Sequence, residues 1–74
     1  MILPLCDTEE NTTATIRSIQ GTALALRILE LGFTPGTPIK TLLHNKRGGC
    51  CAYLIKGAVI VLRNEDARNI NVSL

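Results

Sequence analysis

Aromatic side chains and surplus charge are both scarce in this sequence. Phe33 and Tyr53 are the only aromatic residues, and tryptophan is absent. Domains that bind single-stranded nucleic acid stack bases on several aromatic rings, which this chain does not offer. The formal net charge of +2 is also too small for the basic surface that phosphate backbones require. We therefore expect no nucleic-acid partner.

Long apolar runs are missing as well. A membrane-spanning helix needs roughly 18 consecutive apolar residues, and no stretch of the chain approaches that length. The apolar start, residues 1–6, contains no basic residue and is followed by Asp7, Glu9 and Glu10, a pattern unlike that of a signal peptide. We expect a protein without direct membrane insertion.

The cysteines do not occur in the number that a disulfide framework needs. The chain has three, Cys6, Cys50 and Cys51, and the last two are adjacent. An odd count with an adjacent pair indicates reduced thiols, which are typical of the cytoplasm. The expected location is therefore cytoplasmic.

The chain does have a high aliphatic content in a short length. With 74 residues, of which 46% are hydrophobic, there is room for a single domain over residues 1–74. A domain of this size buries only about 60% of the surface that its unfolded chain exposes, and it is marginally stable alone. A protein partner or a weak homo-oligomer would add stability.

Alternating apolar residues predict about five short antiparallel strands. They cover residues 12–19, 38–44, 50–55, 58–62 and 70–72. Residues 56–57 separate two of these strands by a tight hairpin turn. In the strand before this turn, Cys51, Tyr53 and Ile55 share one face and Ala52 and Leu54 the other. In the strand after it, Val59 and Val61 share one face, and the other face carries Ala58, Ile60 and Leu62. Short strands of this kind close into a small barrel.

One helix interrupts the strands. Residues 23–31 are strong helix formers with apolar side chains every three or four positions. Gly32 follows them, where the end of a helix favours a left-handed residue. Residues 34–37 have proline and then glycine at their centre, which is the signature of a type II turn. Residues 63–67 predict a single helical turn with Asn64 as its cap.

The junction around Gly32 and Gly36 carries the strongest family signature. The segment of residues 26–37, which contains Leu-Gly-Phe-Thr-Pro-Gly, resembles the helix and turn of the FeoA family. Tyr53 to Gly57, Ile60 to Ala67 and Ile70 to Val72 resemble the second half of that family, with a Leu-Arg pair before an acidic helical turn. The resemblance covers about residues 13–72 and leaves the first six residues outside.

The resemblance implies a mostly β fold, a small SH3-like β-barrel of about five antiparallel strands with one inserted α-helix. It also implies a small cytosolic accessory protein of bacterial ferrous iron transport. Such proteins act by protein–protein interaction with FeoB, a membrane permease with a G-protein domain. Related barrels form the C-terminal domain of iron-dependent repressors, so a transition-metal-binding or metal-sensing module is the alternative function.

One loop departs from the family pattern. Many members carry Gly-Asp-Pro in the central loop, where this chain has Arg47-Gly48-Gly49-Cys50.

The sequence also contains no recognisable set of catalytic residues, so we expect a protein that is not an enzyme. There is one histidine, and the glycine pair is not followed by the Lys and Ser/Thr of a phosphate-binding P-loop. No cofactor is required.

Three residues are candidate metal ligands. His44, Cys50 and Cys51 flank one loop, and a thiolate and imidazole set of this kind could hold Fe(II) or another divalent transition metal. Their spacing matches no zinc motif, and free cysteine also packs as a small apolar residue.

Leu31, Phe33 and Tyr53 are the candidate partner-binding residues. Phe33 lies between Gly32 and a Pro-Gly turn, where a rigidly held aromatic ring could anchor a partner. In the alternative arrangement the ring closes one end of the barrel. The sequence leaves both arrangements of Phe33 open.

Overall fold

A computed structural model of the chain describes residues 1–21, 32–45 and 47–74. These residues form one antiparallel sheet of six strands in the order β1-β6-β2-β3-β4-β5. The strands are β1 (Ile2–Pro4), β2 (Thr13–Ile19), β3 (Pro38–Leu43), β4 (Cys50–Ile55), β5 (Ala58–Arg63) and β6 (Ile70–Ser73). A 3-10 turn (Leu5–Asp7) follows β1, and a one-turn helix, α1 (Asn64–Ala67), lies between β5 and β6.

The mostly β architecture expected from the sequence is confirmed, with six strands where about five were predicted. The additional strand is β1, in which Leu3 pairs with Val72 of β6. A strand of three residues is too short to show alternation, and Pro4 is tolerated in it because β1 lies at the edge of the sheet. The helix predicted over residues 23–31 lies outside the described residues.

In the part of the chain that the structure describes, the sheet is not closed into a complete barrel. Within the described ranges, β1 and β5 are the two outermost strands, and each pairs with one neighbour only. No helix in these ranges is long and apolar enough to cross a membrane.

One side of the sheet forms the core. Its fully buried apolar residues alternate along the strands, as a sheet with one covered face requires. On the strands they are Ala14, Ile16, Ile39, Cys51, Tyr53, Ile55, Leu62, Ile70 and Val72, and Leu5, Phe33 and Ala67 complete the core from the segments between strands. The face predicted for the third strand is therefore confirmed, because Cys51, Tyr53 and Ile55 of β4 all point inward.

The glycine junction has the predicted geometry. Gly32 and Gly36 have φ angles of 99° and 90°, which L side chains rarely adopt. The amide of Thr37 donates to the carbonyl of Thr34 at 3.1 Å, closing the turn around Pro35. The amide of Gly36 donates to the carbonyl of Ile16 at 2.7 Å. The turn is thereby fixed to β2.

The capping role expected of Asn64 is wrong. The residue at the cap position is Arg63, which makes no side-chain capping bond. Asn64 is the first residue of α1, and its side chain bonds elsewhere. Its Oδ1 accepts from the Cys51 thiol at 2.9 Å, and its Nδ2 donates to the carbonyl of Asn45 at 2.9 Å. Asn64 thus joins the core strand β4, the loop before it and the helical turn.

The β4–β5 hairpin has a turn of the primed type. Lys56 and Gly57 have φ angles of 50° and 80°, and the flanking residues Ile55 and Ala58 pair directly. Positive φ at both central residues defines a type I′ turn, which matches the twist of the strands. Lysine at this position is unusual, since the left-handed region favours glycine and asparagine.

We expect Lys56→Asn to raise the free energy of unfolding by about 0.5–1 kcal/mol, because asparagine tolerates the left-handed conformation. Urea unfolding followed by circular dichroism measures the change. Lys56→Ala is the matched control, since it removes the same charge but lacks the side-chain amide that lets asparagine tolerate the left-handed region. If the two variants are equally stable, the interpretation that the backbone conformation at Lys56 is strained is wrong.

Candidate functional site

The structure places the two predicted aromatic anchors in the core. Phe33 and Tyr53 are each 0% exposed, so neither ring is accessible to a partner in this fold. Phe33 therefore adopts the alternative arrangement, in which its ring packs inside the domain. Leu31, the third candidate, lies outside the described residues.

Tyr53 brings a hydroxyl group into the core. Its Oη is buried and has no hydrogen-bond partner within the described residues. Burial, together with the nearby Cys51 thiol, holds the pKa of Tyr53 far above its usual value. The hydroxyl therefore stays protonated, and Tyr53 acts as a large core residue.

The three predicted metal ligands do not converge. Cys51 points into the core and its thiol bonds to Asn64, whereas Cys50 is exposed on the opposite face of β4. Successive strand residues face opposite sides, so one metal ion cannot readily take both thiols. In the parts of the chain that the structure describes, no three His, Cys, Asp or Glu side chains are grouped to hold a metal ion.

His44 lies instead at a different pocket. It lines a cavity of about 440 Å³ with Cys6, Asp7, Asn64 and Arg68. Its Nδ1 is buried without a hydrogen-bond partner among the residues described. Burial and the Asp7 carboxylate raise the pKa of the Cys6 thiol, against the opposing effect of Arg68. The pocket is thus polar and mixed in charge, with a thiol held in its protonated form.

The outward side of β3, β4 and β5 presents an exposed apolar surface. Its residues are aligned across the three strands, with Leu43 beside Ala52 and Val61, and with Leu54 beside Val59. Leu43, Val59 and Val61 are 61%, 63% and 62% exposed. We call this surface the aliphatic face, defined by Leu43, Ala52, Leu54, Val59 and Val61.

Positive charge borders the aliphatic face. Lys40 pairs with Leu54, Arg63 pairs with Cys50, and Lys56 lies in the adjacent turn. The sequences of β3, β4 and β5 contain no acidic residue. Glu65 of α1 lies 3.6 Å from Arg63, and both side chains are highly exposed, so this pair compensates little of the charge.

The aliphatic face was not predicted as a site from the sequence. Alternation puts Val59 and Val61 on one side of a strand, but alternation alone does not tell which side faces the core. The available signal was that Ala58 to Leu62 is apolar at every position. Only one of its two sides can be covered by the core of a single small sheet.

We expect Phe33→Leu to leave the fold intact and to cost about 1 kcal/mol of stability, while Phe33→Ala costs about 3–5 kcal/mol and largely unfolds this small domain. Urea unfolding measures both changes. The folded Phe33→Leu protein should bind partners as the unaltered protein does. If the Phe33→Leu protein has unchanged stability but no longer binds a partner, Phe33 acts as a surface anchor after all.

The three thiols should differ in reactivity towards an aromatic disulfide reagent. Cys50 should react fastest because it is exposed, Cys6 more slowly because it is half-buried with a raised pKa, and Cys51 only after unfolding. Single Cys→Ser variants assign each kinetic phase. A native-state rate for Cys51 equal to that of Cys50 would contradict its position in the core.

Solved structures share this fold. The chain matches the crystal structure of an iron uptake regulatory protein, FeoA, with a TM-score of 0.91 and 20% identity, covering 99% of this chain and 97% of that one. It matches the zinc complex of Stenotrophomonas maltophilia FeoA, a procaryotic SH3 domain protein, with a TM-score of 0.83 and 24% identity over 93% and 87% of the two chains. The expected SH3-like fold is therefore confirmed.

A manganese-dependent transcriptional repressor contains the same fold as part of a longer chain. The TM-score is 0.87 at 20% identity, and the match covers 99% of this chain but 42% of the repressor. No curated protein is similar enough to count as a match.

The FeoA domain model matches residues 3–74. The match begins within β1 and so extends past the 13–72 range in which the resemblance was recognised. With almost its whole length matched, the chain belongs to the FeoA domain family.

Proposed function

We propose that this chain is a non-catalytic accessory domain of bacterial ferrous iron transport that acts by binding the cytoplasmic part of a FeoB-type permease. Membership of the FeoA family supports the transport role. The observation that carries the binding role is the aliphatic face, where three large aliphatic side chains are each more than half exposed.

An exposed row of aliphatic side chains is typical of an interaction surface. Monomeric soluble proteins rarely expose contiguous apolar patches without a function. Here the row extends across three paired strands, so the pairing of the sheet forms this surface before any partner binds. The Lys40, Lys56 and Arg63 side chains around it favour an acidic partner. In this proposal the domain works in the cytoplasm, inserts into no membrane and needs no cofactor.

Metal sensing is the second function that the sequence raised. The fold likeness to a manganese-dependent repressor is compatible with it, but a likeness at this level of identity concerns the fold alone. The predicted ligands His44, Cys50 and Cys51 are not grouped in the described structure. Protein binding therefore has the stronger structural support.

We expect the reduced protein to bind the soluble G-protein domain of the FeoB permease from the same organism, measured by isothermal calorimetry with and without Fe(II) and GTP. The double variant Val59→Thr/Val61→Thr should weaken binding about tenfold or more, because it removes apolar contact without disturbing β-structure. Ile2→Thr is the matched control, since Ile2 is 65% exposed on β1 at the opposite edge of the sheet.

Two results would contradict the proposal. One is an absence of binding by the unaltered protein under all four conditions. The other is an equal loss of binding in Ile2→Thr and in the double variant. That result would show that the aliphatic face is not the specific contact surface. Fe(II) binding by the isolated protein, without permease binding, would favour the metal-sensing alternative.

A further inference from the structure

The edge strand β5 has a side that bonds to no other strand in the described ranges. In an antiparallel pair, residues that bond to the neighbouring strand alternate with residues whose N–H and C=O groups point away. The amide of Asn64 donates to the carbonyl of Gly49 at 2.8 Å. This bond fixes the alternation, because the next pair along the hairpin is Cys50 with Arg63.

The register then assigns every backbone group of β5. Ile60 and Leu62 bond to β4, in phase with Asn64. Val59, Val61 and Arg63 direct their N–H and C=O groups to the open side. The same assignment follows independently from the two-residue turn, whose flanking pair is a bonded one.

The three residues with outward backbone groups also carry exposed side chains. Val59 and Val61 belong to the aliphatic face, and Arg63 is exposed at its end. A strand added at this edge would form main-chain hydrogen bonds and cover the valines at the same time. Strand addition uses this combination, with main-chain bonds for affinity and side-chain contacts for specificity.

Among the described residues, nothing gives the edge of β5 the usual protection against pairing. Natural edge strands are shielded by proline, bulges, inward charges or short length. The opposite edge follows this rule, since β1 has three residues and contains Pro4. In contrast, β5 has six residues, no proline and an unbroken register with β4. An open edge of this kind is suited to a partner strand.

The positive charges around β5 favour acidic residues in an incoming partner strand. Lys56 lies at one end of β5, Arg63 at the other, and Lys40 lies across the face. An open cleft of about 430 Å³, lined by Gly48, Gly49, Cys50, Arg63, Asn64 and Glu65, adjoins the Arg63 end. Carboxylates at the ends of an incoming strand would meet these cations.

We propose that β5 accepts an extended segment of the partner as a seventh strand, with aliphatic residues over Val59 and Val61 and acidic residues at its ends. This rests on the proposed function for the identity of the partner. The strand β5 has no acidic residue of its own. A second copy of β5 would therefore not supply the carboxylates, and a partner with acidic residues fits better.

The backbone alternation gives a direct test by amide hydrogen exchange. In the free protein, the amides of Val59 and Val61 should exchange fast and those of Ile60 and Leu62 slowly. The probe is a synthetic peptide of alternating valine and threonine with two glutamates at each end. On its addition, the Val59 and Val61 amides should become protected about tenfold or more, because each gains a main-chain bond.

A charge-reversed peptide, with lysine in place of glutamate, is the control for the acidic preference. It should bind more weakly, and the difference should shrink as salt screens the charges. If the two peptides bind equally well, the proposed preference for acidic residues in the added strand is wrong. Peptide contacts without alternating amide protection would overturn strand addition.

Two substitutions at one position separate backbone bonding from side-chain contact. Val61→Pro removes an outward N–H that makes no bond to β4, and proline is tolerated at such an edge position. Val61→Thr keeps that N–H and the branched shape. We expect Val61→Pro to weaken binding about tenfold and more than Val61→Thr, with Ile60 and Leu62 still protected in both variants. If Val61→Pro binds as tightly as the unaltered protein, strand addition is wrong.

The same measurements with the permease G-protein domain distinguish the two proposals. Binding of that domain without β5 protection would keep the proposed function and overturn strand addition. Alternating protection by the acidic peptide, without permease binding, would keep strand addition and overturn the choice of partner. Alternating protection that rises with protein concentration alone, together with dimers in sedimentation, would make a second copy the occupant and overturn the acidic-partner proposal.

Discussion

The register between β4 and β5 determines both the core and the open surface of this domain. Because Lys56 and Gly57 form a two-residue turn, Ile55 pairs with Ala58 and every later pair follows. A slip by one residue would exchange the two faces of a strand. Tyr53, which is fully buried, would then point outward. The same register directs the backbone groups of Val59 and Val61 to the free edge.

Much of the fold could be predicted from the sequence because its longer strands alternate clearly and its turns contain diagnostic residues. The Pro-Gly turn at residues 34–37 has strong local preferences that the tertiary structure keeps, and in the hairpin turn Gly57 is the residue that favours a positive φ. The strand β1 could not be predicted in this way. Its three residues are ordered by pairing with β6, from the far end of the chain.

The candidate site was less predictable because side-chain surroundings depend on contacts between distant segments. Phe33 follows a glycine and precedes a turn, which suits an exposed anchor and a buried ring equally. Asn64 is a good helix cap by type, but the Cys51 thiol and the Asn45 carbonyl take its side chain. Alternation identified the two sides of β5 without telling which one the core covers.

The apolar composition of β5 also has a consequence for the unfolded chain. Ala58 to Leu62 is a run of β-branched and aliphatic residues without proline or charge, which is the composition of segments that aggregate into cross-β assemblies. Lys56 and Arg63 stand at the two ends of this run as charged gatekeepers. The strand that is best suited to receive a partner is therefore the one most hazardous to leave exposed during synthesis. A domain of this kind gains from meeting its partner early.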